Sequence, residues 1–184
     1  MPGLDPFYWH VIRWLVATVF AVACVHKLSS IAAFDNVVKD YALLPSALAP
    51  LASRLLILCE IAVVAALASG LWIPVAATLA LVLLAVYAAG MGINLARGGR
   101  DIDCGCFGPA GSGENRHTLS GWLLLRNLSL IALTGLLLLP VADRALTWLD
   151  LFAIAAATAA AFTAWLAGDQ LMANAPRLQG RLSR

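Results

Sequence analysis

Charged residues are scarce in this chain of 184 residues: Asp, Glu, Lys and Arg make up 12% of it, whereas hydrophobic residues make up 62%. A soluble domain of this size has too little interior to bury so much apolar surface, and about 25% of its residues are charged. The composition therefore excludes a soluble enzyme, a disordered chain and a nucleic-acid-binding protein. The excess apolar surface must face lipid, so membrane lipid is the first expected partner.

Cysteine is also scarce, and the four residues present are too few to staple a fold of this size. Chemistry is a better explanation for them than structure. Cys104 and Cys106 flank a single glycine in a Gly-rich connection over 96–118, while Cys24 and Cys59 lie in apolar runs.

The apolar runs predict five membrane-spanning helices, because each span needs about 20 apolar residues. Charged residues, and Gly and Pro at the breaks, set the boundaries. The predicted spans cover residues 7–25, 51–68, 72–95, 119–141 and 148–168. We therefore expect an all-α integral membrane protein with one helical domain over 1–168 and a polar C-terminal tail over 169–184.

A further segment, 29–45, is too short and too polar to span a membrane, yet its apolar residues recur at helical spacing. They are Ile31, Phe34, Val37, Val38, Tyr41 and Leu44. This pattern predicts an amphipathic helix lying in the membrane interface.

Five crossings would place segment 29–45, the 96–118 connection and the tail on one face, which we call the cysteine face. Cys104 and Cys106 belong to that connection. Cys24 ends the first span beside the same face, and Cys59 lies one to two turns into the second span from it. All four thiols are therefore expected on or near one surface.

The pair Cys104 and Cys106 can close only a very small disulfide ring, and Gly105 lets the backbone bend as that ring requires. A strained disulfide is easily reduced, so the pair suits an exchanging dithiol better than a structural bridge. Two alternatives remain: inert thiols in a glycine loop, or a soft site for Zn or Cu(I) that adds His117 and His26.

Cys24 and Cys59 allow two interpretations. A free cysteine in a membrane helix is commonly a small apolar filler. Alternatively, the two form a second dithiol that exchanges with the loop pair and passes electrons to a quinone. That role requires the two helices to be adjacent, since Cα atoms more than about 7 Å apart cannot be bridged.

Glu60 is the ionisable residue inside a span that most needs a partner, because a charge there costs about 2.5 to 3.5 kcal/mol on insertion scales. Arg126 lies at similar depth in the fourth span, so we expect an ion pair between them beneath the cysteine loop. The pair is either a structural clamp or a group that moves protons during thiol exchange.

The sequence INLARGGRDIDCGCFG at 93–108, followed by His117, Ser120 and the pair Arg126 and Asn127, strongly resembles the methylamine utilisation protein MauE family, which is related to DoxX. HKL at 26–28, YALLP at 41–45 and Glu60 resemble the first half of that family. The resemblance covers roughly residues 7–140.

This resemblance implies a redox-associated bundle with a four-helix transmembrane core, to which the fifth C-terminal helix and the interfacial helix are additions. It implies a role in maturing the disulfide-rich small subunit of methylamine dehydrogenase, a periplasmic quinoprotein. Its motif cysteines correspond to Cys104 and Cys106, and its polar positions to Glu60, Arg126 and Asn127. Cys24 and Cys59 match no cysteines of the family.

Two arguments place the cysteine face on opposite sides of the membrane. Nine basic residues fall on the cysteine face, against Arg144 and Arg13 on the other side. The nine are Lys27, Lys39, Arg54, Arg97, Arg100, Arg116, Arg177, Arg181 and Arg184. The positive-inside rule would make that face cytoplasmic. Disulfide exchange with an exported client requires it outside, since the cytosol keeps thiols reduced.

Three functions follow. The first is a membrane thiol–disulfide oxidoreductase that exchanges with an exported client or thioredoxin-like partner, with quinone as a candidate cofactor. The second is a metal-handling protein using Cys104, Cys106 and His117, and the third is a non-catalytic assembly factor. We expect a multi-pass protein of the bacterial inner membrane with an extracytoplasmic cysteine loop.

Overall fold

The structure is a computed structural model that describes the backbone of residues 3–98 and 121–182, and the side chains of residues 3–98 and 122–171. The described residues form six helices, which confirms the all-α class. In order they are α1 Pro6–Ser29, α2 Ile31–Asp40, α3 Ala49–Ser69, α4 Ile73–Ala96, α5 Gly121–Leu136 and α6 Trp148–Leu182.

Four helices are long and apolar enough to cross a membrane: α1, α3, α4 and the part of α6 from Trp148 to Leu171. The protein is therefore a multi-pass membrane protein. The fourth apolar segment, α5, is shorter than the expected span over 119–141, with 16 residues. After Leu136 the chain tightens, because the next three N–H groups bond to carbonyls three residues back, and Pro140 then prevents a helical continuation.

The helices α1, α3, α4 and α5 form a closed ring in which each packs against two neighbours. Their shared core is apolar and tightly buried, with Val16 of α1, Val63 and Leu67 of α3 and Ala77 of α4 fully or almost fully covered. α6 packs along the outside of α1 and leaves most of its surface uncovered. A four-helix core with an added C-terminal helix results.

A tight turn joins α3 to α4 on the face opposite the cysteines. Gly70 ends α3 with φ of 79°, a left-handed conformation that glycine adopts without steric cost, and its N–H bonds to the Ala66 carbonyl at 3.0 Å. Trp72 also has a positive φ, and Pro74 stands in the first turn of α4, where its missing N–H costs nothing.

The predicted amphipathic helix is present as α2, and part of its apolar face packs on the bundle. Its buried residues Phe34 and Val37 form a cluster with Cys24 of α1 and Ile57 of α3. The polar side of this contact is a hydrogen bond between Ser53 and Asp35. Ile31 and Leu44 stay exposed, so only part of the apolar face packs on the bundle, where α2 covers the cysteine-face end of α1 and α3.

The residues after α2 fix this cover to α4. The Tyr41 ring lies so close to Gly90 that a Cβ on that glycine would approach it to 3.3 Å. Asn94 donates a hydrogen bond to the Tyr41 carbonyl at 3.2 Å. Glycine at position 90 therefore makes room for the contact, and α2 is held at both ends.

The opposite face is tied together by polar contacts between the start of α1 and the link before α6. Leu4 pairs with Val141 in a short parallel bridge. Arg144 reaches both Asp5, which caps α1, and Asp150 in the first turn of α6, each at 3.2 Å. The hydrogen bond to Asp150 is the main reason that the pKa of Arg144 is raised.

The residues predicted as a polar tail continue α6 without a break, since this helix runs to Leu182. The first of them, Asp169, faces the bundle. Trp122 and Arg126 of α5 both donate hydrogen bonds to its carboxylate, which holds this part of α6 against α5.

Candidate functional site

A buried polar group occupies the bundle beneath α2, where α1, α3 and α4 meet. Lys27 near the end of α1 forms an ion pair with Glu60 of α3, and only 3% of Lys27 and 1% of Glu60 are exposed. Tyr87 of α4 donates a hydrogen bond to Glu60 Oε1 at 2.6 Å and lies 3.2 Å from Lys27 Nζ. Three helices of the ring thus contribute one polar side chain each.

Aromatic rings enclose the ammonium group of Lys27. Nζ lies 4.9 Å from the ring centre of Phe34 on α2 and 4.6 Å from that of Tyr87. A cation over an aromatic face is stabilised by the ring's negative charge density, the more so away from water. Carboxylate, hydroxyl and rings together replace the water that the charge would have outside the membrane.

The prediction that Glu60 and Arg126 form an ion pair is wrong. Arg126 forms an ion pair with Asp169 of α6, and its guanidinium lies 5.6 Å from the ring centre of Trp165. α5 packs mainly against α4 and α1, and Glu60 faces α1 and α4, so equal depth did not bring the two side chains together. Asn127, next in the chain, binds the Leu84 carbonyl of α4 at 2.7 Å.

Replacing Asp169 with alanine is expected to lower the stability of the protein by about 1.5 to 3 kcal/mol, the typical effect of losing a hydrogen bond to a charged group. Arg126 and Trp122 would both lose their acceptor. Thermal unfolding in detergent measures the change, and Asp143→Ala, an exposed carboxylate in the link before α6, is the matched control. Equal midpoints for the two variants would contradict the role given to Asp169.

One oxygen of Glu60 is left over. Both donors bind Oε1, whereas Oε2 is buried and has no hydrogen-bond partner among the described residues. Buried side-chain oxygens are nearly always hydrogen-bonded, so such an atom calls for an explanation. It leaves the carboxylate able to accept one more proton or hydrogen bond.

The two cysteines of the spans lie in different surroundings, and both are free thiols. Cys24 is buried with Phe34, Val37 and Ile57, close to the polar group. Cys59 is half-buried and packs against the main core of the ring. Ile57 and Cys59 are two residues apart on α3, so their side chains point about 200° apart around the helix. α1 and α3 are adjacent, as a second dithiol requires, and the two cysteines belong to different clusters, Cys24 beneath α2 and Cys59 at the ring core.

The loop residues Cys104, Cys106 and His117 lie outside the described residues, and so does the metal site that the three would form. Within the part of the chain that is described, no group of three or more His, Cys, Asp and Glu side chains is placed to hold a metal ion. The connection that carries the loop residues joins α4 to α5, which pack side by side.

Sequence reasoning missed two members of the buried group, Lys27 and Tyr87. Among the predictions from the sequence, Lys27 counted only as a basic residue of the cysteine face, because the predicted span stopped at residue 25, while α1 runs to Ser29 and α2 covers its end. Tyr87 sits in an apolar run and was not among the predicted site residues. The available signal was the position of Tyr87 inside a predicted span, because a tyrosine hydroxyl there can donate a hydrogen bond to a buried carboxylate.

Comparison with known proteins places these features in a family. Residues 5–140, which include α1 to α5 and end before α6, match the family model described as methylamine utilisation protein MauE. The chain is 38% identical over 134 residues to methylamine utilization protein MauE of Paracoccus denitrificans, covering 71% of this chain and 68% of that one. Its identity to the protein of the same name from Paracoccus versutus is 32% over 144 residues, covering 75% and 73%. No solved structure matches the chain significantly.

Proposed function

Because this chain belongs to the methylamine utilisation protein MauE family, we propose that it is a membrane thiol–disulfide oxidoreductase used in methylamine utilisation, with Cys104 and Cys106 as its exchanging pair. The observation that carries the proposal is the sequence Cys-Gly-Cys in the connection between α4 and α5. Two thiols at this spacing form a strained disulfide that exchanges readily.

The fold supports this role in a second way. The α4–α5 connection leaves the bundle at the face that α2 covers, where Cys24 and the buried group of Lys27, Glu60 and Tyr87 also lie. Thiol exchange needs proton donors and acceptors near the sulfur atoms. The bundle therefore supplies ionisable side chains at the end where the dithiol is attached.

In the oxidising direction, a thiolate of the exported client attacks one sulfur of the Cys104–Cys106 disulfide and forms a mixed disulfide. The second client thiol resolves it, which leaves the client oxidised and two electrons and two protons on the dithiol. A quinone in the membrane is the class of acceptor that takes up two electrons and two protons. A thioredoxin-like protein is the alternative exchange partner.

We propose a bacterial inner-membrane location with the cysteine face outside the cytoplasm. The opposing charge argument keeps eight of its nine basic residues, because the structure removes only Lys27 from the count. The positive-inside rule counts loop charges, and Lys27 is neutralised inside the bundle by Glu60, so it does not contribute to the bias.

Labelling of intact cells with a membrane-impermeant maleimide tests both the location and the redox state. The variant Cys24→Ser/Cys59→Ser leaves Cys104 and Cys106 as the reporting thiols. We expect a gel shift only after prior reduction, because the pair rests as a disulfide on the outer surface. Labelling that requires a permeabilised membrane would place the loop in the cytoplasm and contradict the proposed exchange with an exported client.

A further inference from the structure

Cys24 lies next to the buried charged group. It is 6% exposed, belongs to the same buried cluster as Ile57, and stands three residues before Lys27, while Ile57 stands three residues before Glu60. Residues three apart share a helix face, so the thiol lies on the sides of α1 and α3 that carry the ion pair.

Glu60 Oε2 offers this thiol an acceptor. Lys27 and Tyr87 both bind Oε1, and Oε2 has no partner among the described residues although Glu60 is 1% exposed. A carboxylate held at one oxygen keeps its position while the other oxygen gains or loses a proton. The ammonium group of Lys27 stays beside the site and can balance a new negative charge.

We propose that Cys24 is a second exchange-competent thiol of this protein and that Glu60 accepts its proton, an inference that rests on the proposed thiol chemistry. In this mechanism the Cys24 S–H gives its proton to Glu60 Oε2, the oxygen that neither Lys27 nor Tyr87 binds. The thiolate attacks a sulfur of an incoming disulfide, forms a mixed disulfide and releases a thiolate, which takes the proton back from Glu60. Protons and electrons balance, and the group returns to its starting charge when Glu60 gives the proton to the released thiolate.

The ionisable groups on the neighbouring helices are engaged with other partners, so Glu60 is the proton acceptor for Cys24. Asp35 of α2 hydrogen bonds with Ser53 and lies 4.0 Å from Arg54. On α4 the facing group is Tyr87, which donates to Oε1, and on α5 Arg126 is engaged by Asp169. Cys59 packs toward the main core and is not expected to share the acceptor.

The test measures the reaction rate of Cys24 against pH with methyl methanethiosulfonate, a small uncharged reagent that forms a mixed disulfide. The protein is the full chain in detergent with Cys59, Cys104 and Cys106 replaced by serine. If the proton moves to Glu60, the fraction of Cys24 present as thiolate depends on the equilibrium between the two side chains and not on the pH of the solution. The rate should then stay flat between about pH 5.5 and 7.5, whereas a thiol that loses its proton to water reacts about tenfold faster per pH unit.

The variant Glu60→Gln should convert the flat profile into the tenfold rise per unit, and Glu60→Asp should keep it flat. The matched control retains Cys59 in place of Cys24 and should show the tenfold rise. A tenfold rise with Glu60 intact overturns the proposal without any need for the glutamine variant to fold, and so does an unreactive Cys24 beside a reactive Cys59. Neither result bears on the proposed role of Cys104 and Cys106, because both are replaced by serine in these variants.

Discussion

Replacing either Cys104 or Cys106 with serine is expected to reduce disulfide transfer to the client to the uncatalysed rate. A single remaining thiol can form a mixed disulfide but cannot complete the exchange within the pair, and a serine hydroxyl cannot take the place of the missing sulfur. The fraction of disulfide-bonded client in cells that carry each variant, measured by gel shift, reports the loss.

Cys59→Ser is the matched control, because Cys59 packs against the core away from the charged group. It should leave client oxidation near the wild-type level. A Cys104→Ser/Cys106→Ser variant that retains full activity would contradict the oxidoreductase role.

The metal-handling alternative gives a different pattern for the same loop. His117→Ala would then be as damaging as the loss of a thiol, and the purified protein would carry stoichiometric metal. Under the exchange mechanism His117→Ala leaves client oxidation in place, and treatment with a chelator has no effect. One set of variants thus separates the two functions.

The assembly-factor alternative needs a more careful choice of residues than the sequence suggests. Phe34 and Tyr41 are unsuitable for testing client binding by α2, because both side chains pack into the bundle. Their replacement would detach α2 from α1 and α3, so a loss of function would not distinguish client binding from thiol exchange. Exposed positions of α2, such as Asn36 and Lys39, test a binding surface without that effect.

The helices could be predicted closely because their signal is local. A run of about 20 apolar residues has few alternatives in a membrane, and Gly70 and Pro74 mark the break between α3 and α4 by their own backbone preferences. The surroundings of α2 could not be predicted in this way. Its apolar spacing identified Phe34 and Val37, which are covered, together with Ile31, which is exposed, and lipid and protein cover such a face equally well.

The partners of the buried charges depend on helix rotation, which no local pattern fixes. Depth along the membrane made Arg126 the natural partner of Glu60. The ring order instead sets α3 between α1 and α4, and so Glu60 meets Lys27 and Tyr87. The sequence thus identified the charge that needs a partner, and tertiary packing decided which residue supplies it.

Replacing Lys27 with methionine is expected to destabilise the protein by about 3 to 5 kcal/mol, since it leaves the Glu60 carboxylate buried without its cation. Tyr87 alone cannot compensate, because a single hydrogen bond does not offset the cost of burying a charge. Reversible unfolding by SDS in mixed micelles measures the loss. Lys39→Met, an exposed lysine of α2, should change stability by no more than about 0.5 kcal/mol.

The double variant Lys27→Met/Glu60→Gln should recover most of that stability. Glutamine carries no charge and still offers Tyr87 an acceptor, so neither the burial cost nor the lost hydrogen bond remains. Because a buried ion pair is often no more stabilising than uncharged residues of similar volume, the double variant is expected close to the wild type or above it. The coupling energy of the cycle should therefore be large. A coupling energy near zero would mean that the two charges do not compensate each other, and would remove the basis for treating Lys27, Glu60 and Tyr87 as one group.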